Sequence, residues 1–176
     1  VDLRMEKIIL NIFIFKTVSL IIAQNWEQSF IAGVFDADGS FMGGSEVLHL
    51  VDHKNKLYAA VGYWQDENNI WYGGNDLNVG WGQILCLESE DDSWAVDLDL
   101  GYNFLRPEII KQVIFTKDYN GVSLNVPDTL LIVGAYSPNY ISGTVSANIF
   151  VRDDLNSTWE QILVHEGDFS SNESYS

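Results

Sequence analysis

The chain has 176 residues, 47% hydrophobic and 13% aromatic, with 25 acidic against 9 basic side chains. That length permits one ordinary domain with its own core, and the aromatic content argues against disorder. A formal charge of −16 excludes nucleic-acid binding, because a phosphate backbone needs a basic surface, and the single cysteine, Cys86, excludes an internal disulfide and a cysteine-based zinc site.

The first methionine is Met5, followed by Glu6 and Lys7, the apolar stretch Ile8 to Phe15, Lys16, and a second apolar stretch Thr17 to Ala23. A charged start, an apolar segment and a small-residue boundary resemble a secretory signal peptide over residues 1–23, the alternative being an amphipathic amino-terminal helix. The expected location is therefore secreted or extracytoplasmic. No run of twenty uninterrupted apolar residues occurs, so no stable membrane span is expected. Without residues 1–23 the chain keeps 23 acidic against 6 basic side chains, so the acidity belongs to the folded part. The residues ahead of Met5 and the polar tail, 167–176, lead to the expectation of a fragment of a longer protein.

Residues 24–45 offer one strand, around Ser29 to Phe35, as a partial blade or closing strand. From Glu46 the pattern becomes short apolar runs between turn residues. Val47–Val51, Leu57–Val61, Ile84–Leu87 and Trp94–Leu100 read as four strands of one unit over 46–101, with a long loop at 63–82. Ile109–Phe115, Leu130–Val133, Ile149–Val151 and Trp159–Val164 read as four strands of a second unit over 102–166, with a loop at 135–147. Gly62 maps onto Gly134 with a shift of 72, and Ile84 onto Ile149 and Trp94 onto Trp159 with shifts of 65. The fold class expected is all-β, with two four-stranded antiparallel blades plus a partial one in an incomplete β-propeller. Gly62 and Gly134 are expected to end the second strand of each unit, where a side chain would clash. Trp94 and Trp159 are expected to cover the gap between neighbouring sheets.

A strand ending in glycine, a variable loop, a further strand and a tryptophan on the last strand resemble a kelch-type blade. The residues that carry this are Leu57–Gly62, Ile84–Leu87 and Trp94, and again Leu130–Gly134, Ile149–Val151 and Trp159. The kelch glycine doublet is reduced here to one, and the repeat of 65–72 residues exceeds the usual kelch length of about 50. The relation implied is to divergent, secreted bacterial kelch-like propellers. Closed propellers have four or more blades, so the remaining blades are expected outside this chain.

The first loop interleaves Trp64, Trp71, Tyr72 and Trp81 with amides and carboxylates, a composition suited to sugar stacking and dense hydrogen bonding; packing against the next sheet is the competing reading. Tyr136, in the second loop, joins them as a candidate ligand-binding residue. Asp36-Ala37-Asp38-Gly39-Ser40 has the opening of a calcium loop, but its twelfth position is Val47, so a tight turn is favoured and no metal is assigned. The acidic turns Asp91-Asp92 and Asp153-Asp154 are expected to be solvated, with Glu88 and Asp153 capping turn N–H groups. His49, His53 and His165 show no metal-ligand spacing, Cys86 reads as a small buried hydrophobe, and no catalytic motif or cofactor loop is present. The expected function is a secreted, non-catalytic binding or scaffolding module for a glycan or protein ligand. The alternatives are a fragment of an extracellular carbohydrate-active or oxidase-type propeller enzyme and an intracellular kelch-type interaction protein.

Overall fold

The computed structural model describes residues 28–62, 81–101, 103–104, 106–139 and 144–168. The elements are β1 (Val34–Phe35), β2 (Phe41–Met42), β3 (Glu46–His53), β4 (Lys56–Gly62), β5 (Gln83–Leu87), β6 (Ala95–Asp99), β7 (Ile109–Lys117), β8 (Ser123–Asn139), β9 (Thr144–Asp153) and β10 (Thr158–Asp168). No helix occurs among the described residues. The protein is all-β, with three antiparallel sheets: the hairpin β1–β2, a middle sheet β3–β4–β5–β6 and an outer sheet β7–β8–β9–β10. Each sheet is a meander whose neighbours in space are neighbours in sequence, and each is open.

The turns follow from local chemistry. Lys54 and Asn55 both take positive φ, 49° and 63°, between the paired residues His53 and Lys56. This is the two-residue hairpin whose twist matches that of the strands it joins. The loop 36–40 folds as a tight turn. Asp36 N–H donates to Ser40 O at 2.9 Å, and Asp36 Oδ1 accepts from the N–H groups of Asp38 and Ser40. Asp118 builds the same turn between β7 and β8, with Oδ1 accepting from Asn120 and Val122.

The middle sheet is covered on both faces. Ala59, Val61 and Leu85 point one way and pack with Met42 and Phe30 of the amino-terminal segment and with Trp94, just ahead of β6. Tyr58, Ala60, Ile84 and Cys86 point the other way and pack against Ile110, Leu131, Val133 and Phe150 of the outer sheet. This double burial is why β4 and β5 read as nearly continuous apolar runs. Burying each branched or aromatic side chain stabilises the stack by about 1.5–3 kcal/mol. The repeat holds in three dimensions, since Ala59, Val61 and Leu85 correspond to Leu131, Val133 and Phe150, which likewise face the preceding sheet.

Several expectations need correction. The partial blade is only the hairpin β1–β2. Gly62 does end β4, and a Cβ there would collide with Arg106 Cβ. Gly134, however, lies inside β8, paired with Ile109 and Ile149. Its missing side chain makes room for Ile109 Cγ2, which a Cβ would meet at 2.9 Å. The loop expected at 135–147 is mostly strand, because Ala135–Asn139 and Thr144–Asn148 pair with each other. Between the apolar runs Ile109–Phe115 and Leu130–Val133 the strands continue, and only Asp118–Val122 forms a turn.

Candidate functional site

Of the candidate ligand residues, Trp64, Trp71 and Tyr72 lie outside the described residues, as do the signal-like segment 1–23 and residues 169–176. Trp81 is half-buried just before β5. Its neighbour Gly82 is packed against the Arg106 backbone, and Gly82 O accepts from Leu100 N–H at 3.0 Å. Tyr136 sits on β8 opposite Ala147 and is 45% exposed. Both therefore lie at the end of the stack where β4 leaves and β5 enters, but on different sheets. The same end is tied by Ser137 Oγ donating to Asn103 O and by the Arg106–Glu108 ion pair at 3.0 Å.

The paired tryptophans act between layers. Trp94 is buried immediately ahead of β6 and donates from Nε1 to Ser29 Oγ at 3.2 Å. Trp159 crosses from β10 to the middle sheet and donates from Nε1 to Asp97 Oδ2 at 2.7 Å. Each reaches the unit that precedes it in the chain.

Around Trp159 the two large sheets share a polar centre that sequence reasoning missed. Arg152, on β9, holds Asp97 through two bonds, Nε to Oδ2 at 2.8 Å and Nη2 to Oδ1 at 2.9 Å. Its Nη1 donates to Asp154 Oδ1 at 2.7 Å, and its guanidinium lies 5.3 Å from the Tyr58 ring centroid. Asp154 also receives Lys54 Nζ at 2.7 Å and His53 Nε2 at 2.9 Å. His53 is fully buried, and its Nδ1 lies 3.0 Å from Gln112 Oε1 on β7. Arg152, Asp97, Asp154, Lys54, His53 and Gln112 thus bridge β3, β6, β7 and β9 and the turns that follow β3 and β9.

The electrostatics follow from this packing. Hydrogen bonding to Asp97 raises the Arg152 guanidinium above its ordinary value, despite burial. Partial burial would raise Asp154, but Lys54, His53 and Arg152 together hold it well below the usual carboxylate range. Burial pushes the Tyr58 phenol and the Cys86 thiol up. Cys86 is therefore a thiol and not a thiolate nucleophile. Arg152, Asp97 and Asp154, with the groups that pair them, clamp the two large sheets together. Among the described residues, no group of three or more His, Cys, Asp and Glu side chains converges to hold a metal ion, and no helix is long and apolar enough to cross a membrane.

The acidic turns divide. Asp153 caps its turn as expected, with Oδ1 accepting from Leu155 and Asn156 N–H. Asn156 Nδ2 and these N–H groups lower its pKa. Glu88 instead pairs with Lys56 Nζ at 2.6 Å, and Asp154 is drawn into the clamp instead of being solvated. A signal for the clamp was present: Arg152 is a lone cation ending an apolar run, and Asp97 sits within an alternating strand. Strict alternation through Trp94–Leu100 would set Asp97 on the side opposite Val96 and Leu98, whereas a bulge on the β5–β6 pair, between the partners of Ile84 and Leu85, redirects it.

Gln83 and Asn148 occupy equivalent positions and are both buried. Gln83 Oε1 accepts from Gly43 N–H at 3.0 Å, and its Nε2 donates to Phe41 O at 2.8 Å, pinning the hairpin sheet to the middle one. Asn148 instead bonds within its own sheet, accepting from Gln161 Nε2 at 2.9 Å. Comparison of the chain with protein-family models, curated proteins and solved structures finds no match in any of the three.

Proposed function

We propose that this protein is a non-catalytic binding or scaffolding module of the kelch-like propeller type, working outside the cytoplasm, with a glycan or protein ligand. Its ligand face takes in the loops that follow Gly62 and Gly134, at the end of the stack where β4 ends and β5 begins and where Trp81 and Tyr136 lie. The observation that carries this reading is the equivalent stacking of the two four-stranded sheets. Each sends a tryptophan to its predecessor, and each leaves its variable connection at the same end. A rigid scaffold with variable loops gathered at one end is how binding surfaces are commonly built. The turn end, in contrast, is occupied by the Arg152–Asp97–Asp154 clamp.

The test is a glycan array followed by titration of the hits with the unchanged chain and with Trp64→Ala, Trp71→Ala, Trp81→Ala and Tyr136→Ala variants. Loss of binding in these variants, with an unchanged unfolding midpoint, is expected. A ligand that binds all four equally well would remove the loop end as its site.

A further inference from the structure

The turn between β9 and β10 carries a motif that the clamp beside it does not use. Asn156-Ser157-Thr158 sets a hydroxyl residue two places after an asparagine, with no proline between them. This is the spacing at which an asparagine side chain accepts an oligosaccharide in exported proteins. No other asparagine among the described residues has serine or threonine at that place. Outside them, Asn172-Glu173-Ser174 has the same spacing.

A three-residue motif recurs by chance, so its placement in the fold decides its weight. Asn156, Ser157 and Thr158 are all exposed, and their neighbour Leu155 is 95% exposed. The turn is held from one residue. Asp153 pairs with Thr158 across the strand ends, and its Oδ1 accepts from the N–H groups of Leu155 and Asn156. Ser157 completes the reversal at a φ of 53°. Asn156 Nδ2 donates to Asp153 Oδ2 at 2.6 Å, which engages one of its hydrogens. Replacing the other by a sugar leaves that bond in place, so the turn takes a bulky substituent without giving up its cap. The turn accounts for Asn156 but not for Thr158, whose hydroxyl has no hydrogen-bond partner among the described residues.

The position also leaves the proposed ligand face open. β9 runs for ten residues from the end where Tyr136 and Trp81 lie to this turn. At a rise of about 3.3 Å per residue the two ends stand roughly 30 Å apart.

We propose that Asn156 is an acceptor for an N-linked oligosaccharide, delivered from a lipid-linked pyrophosphate donor by a transferase outside the cytoplasm. Nδ2 attacks C1 of the first sugar. The Nδ2–C1 bond forms as the bond from C1 to the pyrophosphate oxygen breaks. The lipid pyrophosphate leaves with the electron pair, Nδ2 gives up one proton, and nothing is oxidised or reduced. The inference rests on the extracytoplasmic part of the proposed function and not on its ligand assignment.

The experiment expresses the full chain in a glycosylating secretory host, once with a supplied cleavable leader ahead of Val1 and once without it. Behind the supplied leader the secreted product is expected to run heavier by an oligosaccharide. Peptide N-glycosidase returns it to the unmodified mass and leaves aspartate in place of Asn156 in the peptide map. Thr158→Ala abolishes the modification while keeping the bond from Asn156 to Asp153, so its unfolding midpoint stays that of the enzymatically deglycosylated chain. Thr158→Ser keeps the modification, and Asn172→Gln leaves Asn156 modified. A secreted chain with unmodified Asn156 overturns the proposal, as does sugar found at Asn172 alone. Sugar on Asn156 that survives Thr158→Ala overturns it too. Modification behind the supplied leader but not without it upholds the acceptor and counts against the export reading alone, so the two fail separately.

Discussion

Truncating Arg152 to alanine leaves Asp97 and Asp154 facing one another across the two sheets without the cation between them. Both carboxylates are largely buried, with side chains 14% and 13% exposed. Breaking a buried ion pair by removing one partner costs about 3–5 kcal/mol. Asp97 keeps the Trp159 indole N–H at 2.7 Å, and Asp154 keeps His53 and Lys54, which draws the cost toward the lower end. Lost packing of the guanidinium over Tyr58 contributes a further ~0.5–1 kcal/mol. The expected loss is about 3–4 kcal/mol, which at a slope of about 2 kcal/mol/M moves the urea midpoint down by roughly 1.5–2 M. Urea unfolding followed by tryptophan fluorescence measures this. Asp97→Asn supplies the second arm of a double-mutant cycle, with a coupling to Arg152→Ala of about 1–3 kcal/mol expected for groups in direct contact. Exposed Lys117→Ala is the control and stays within about 0.5 kcal/mol of the unchanged chain. A cost for Arg152→Ala below about 1 kcal/mol, or additivity with Asp97→Asn, would refute the clamp.

Asp154 gives the clamp a pH signature. Its folded pKa is depressed, so its contribution is complete above its unfolded value near 3.8 and is lost as pH falls through the lower folded value. Stability measured from pH 7 downward is expected to fall below about pH 4, and Asp154→Asn to flatten that limb, leaving the smaller slopes of Asp36 and Asp153. Gly62→Ala is expected to destabilise by about 1–3 kcal/mol in thermal unfolding, because its new Cβ would occupy the place of Arg106 Cβ. Gln83→Leu leaves Gly43 N–H and Phe41 O without their partner, at a cost of about 1–3 kcal/mol. Amide exchange at Gly43 should accelerate more than exchange in β9 or β10; equal acceleration everywhere would contradict a local pin.

Much of the strand order could be read directly, because β4, β5 and the centres of β8 and β9 are apolar runs bounded by polar turns. The extensions of β8 and β9 could not. Pro138 and the Ser, Asn and Tyr residues around it carry turn chemistry, yet cross-strand pairing over Ala135–Asn139 and Thr144–Asn148 overrides it. The calcium-like DADGS and the DYNGV of residues 118–122 differ in appearance but fold into one turn, because an aspartate accepting two backbone N–H groups is what both supply. The clamp was hidden for a different reason. Its members come from four strands and two turns, and the Asp97 bulge breaks the alternation from which side-chain direction is inferred. Trp94 and Trp159 were legible as layer-spanning residues because the repeat places them at matching positions.

Among the described residues the middle sheet alone carries a neighbour on each face, and this has a consequence in time. Its amides are released only when both neighbours have come away, whereas β10 is lost with the outer sheet alone and β1–β2 with the hairpin alone. Exchange rates should therefore rank by layer, with Tyr58–Val61 and Ile84–Cys86 the slowest. A molecule assembled from sequence-adjacent layers opens from its ends inward, as linear arrays do. The strands that hold the loop end in place would then be the last to lose their structure.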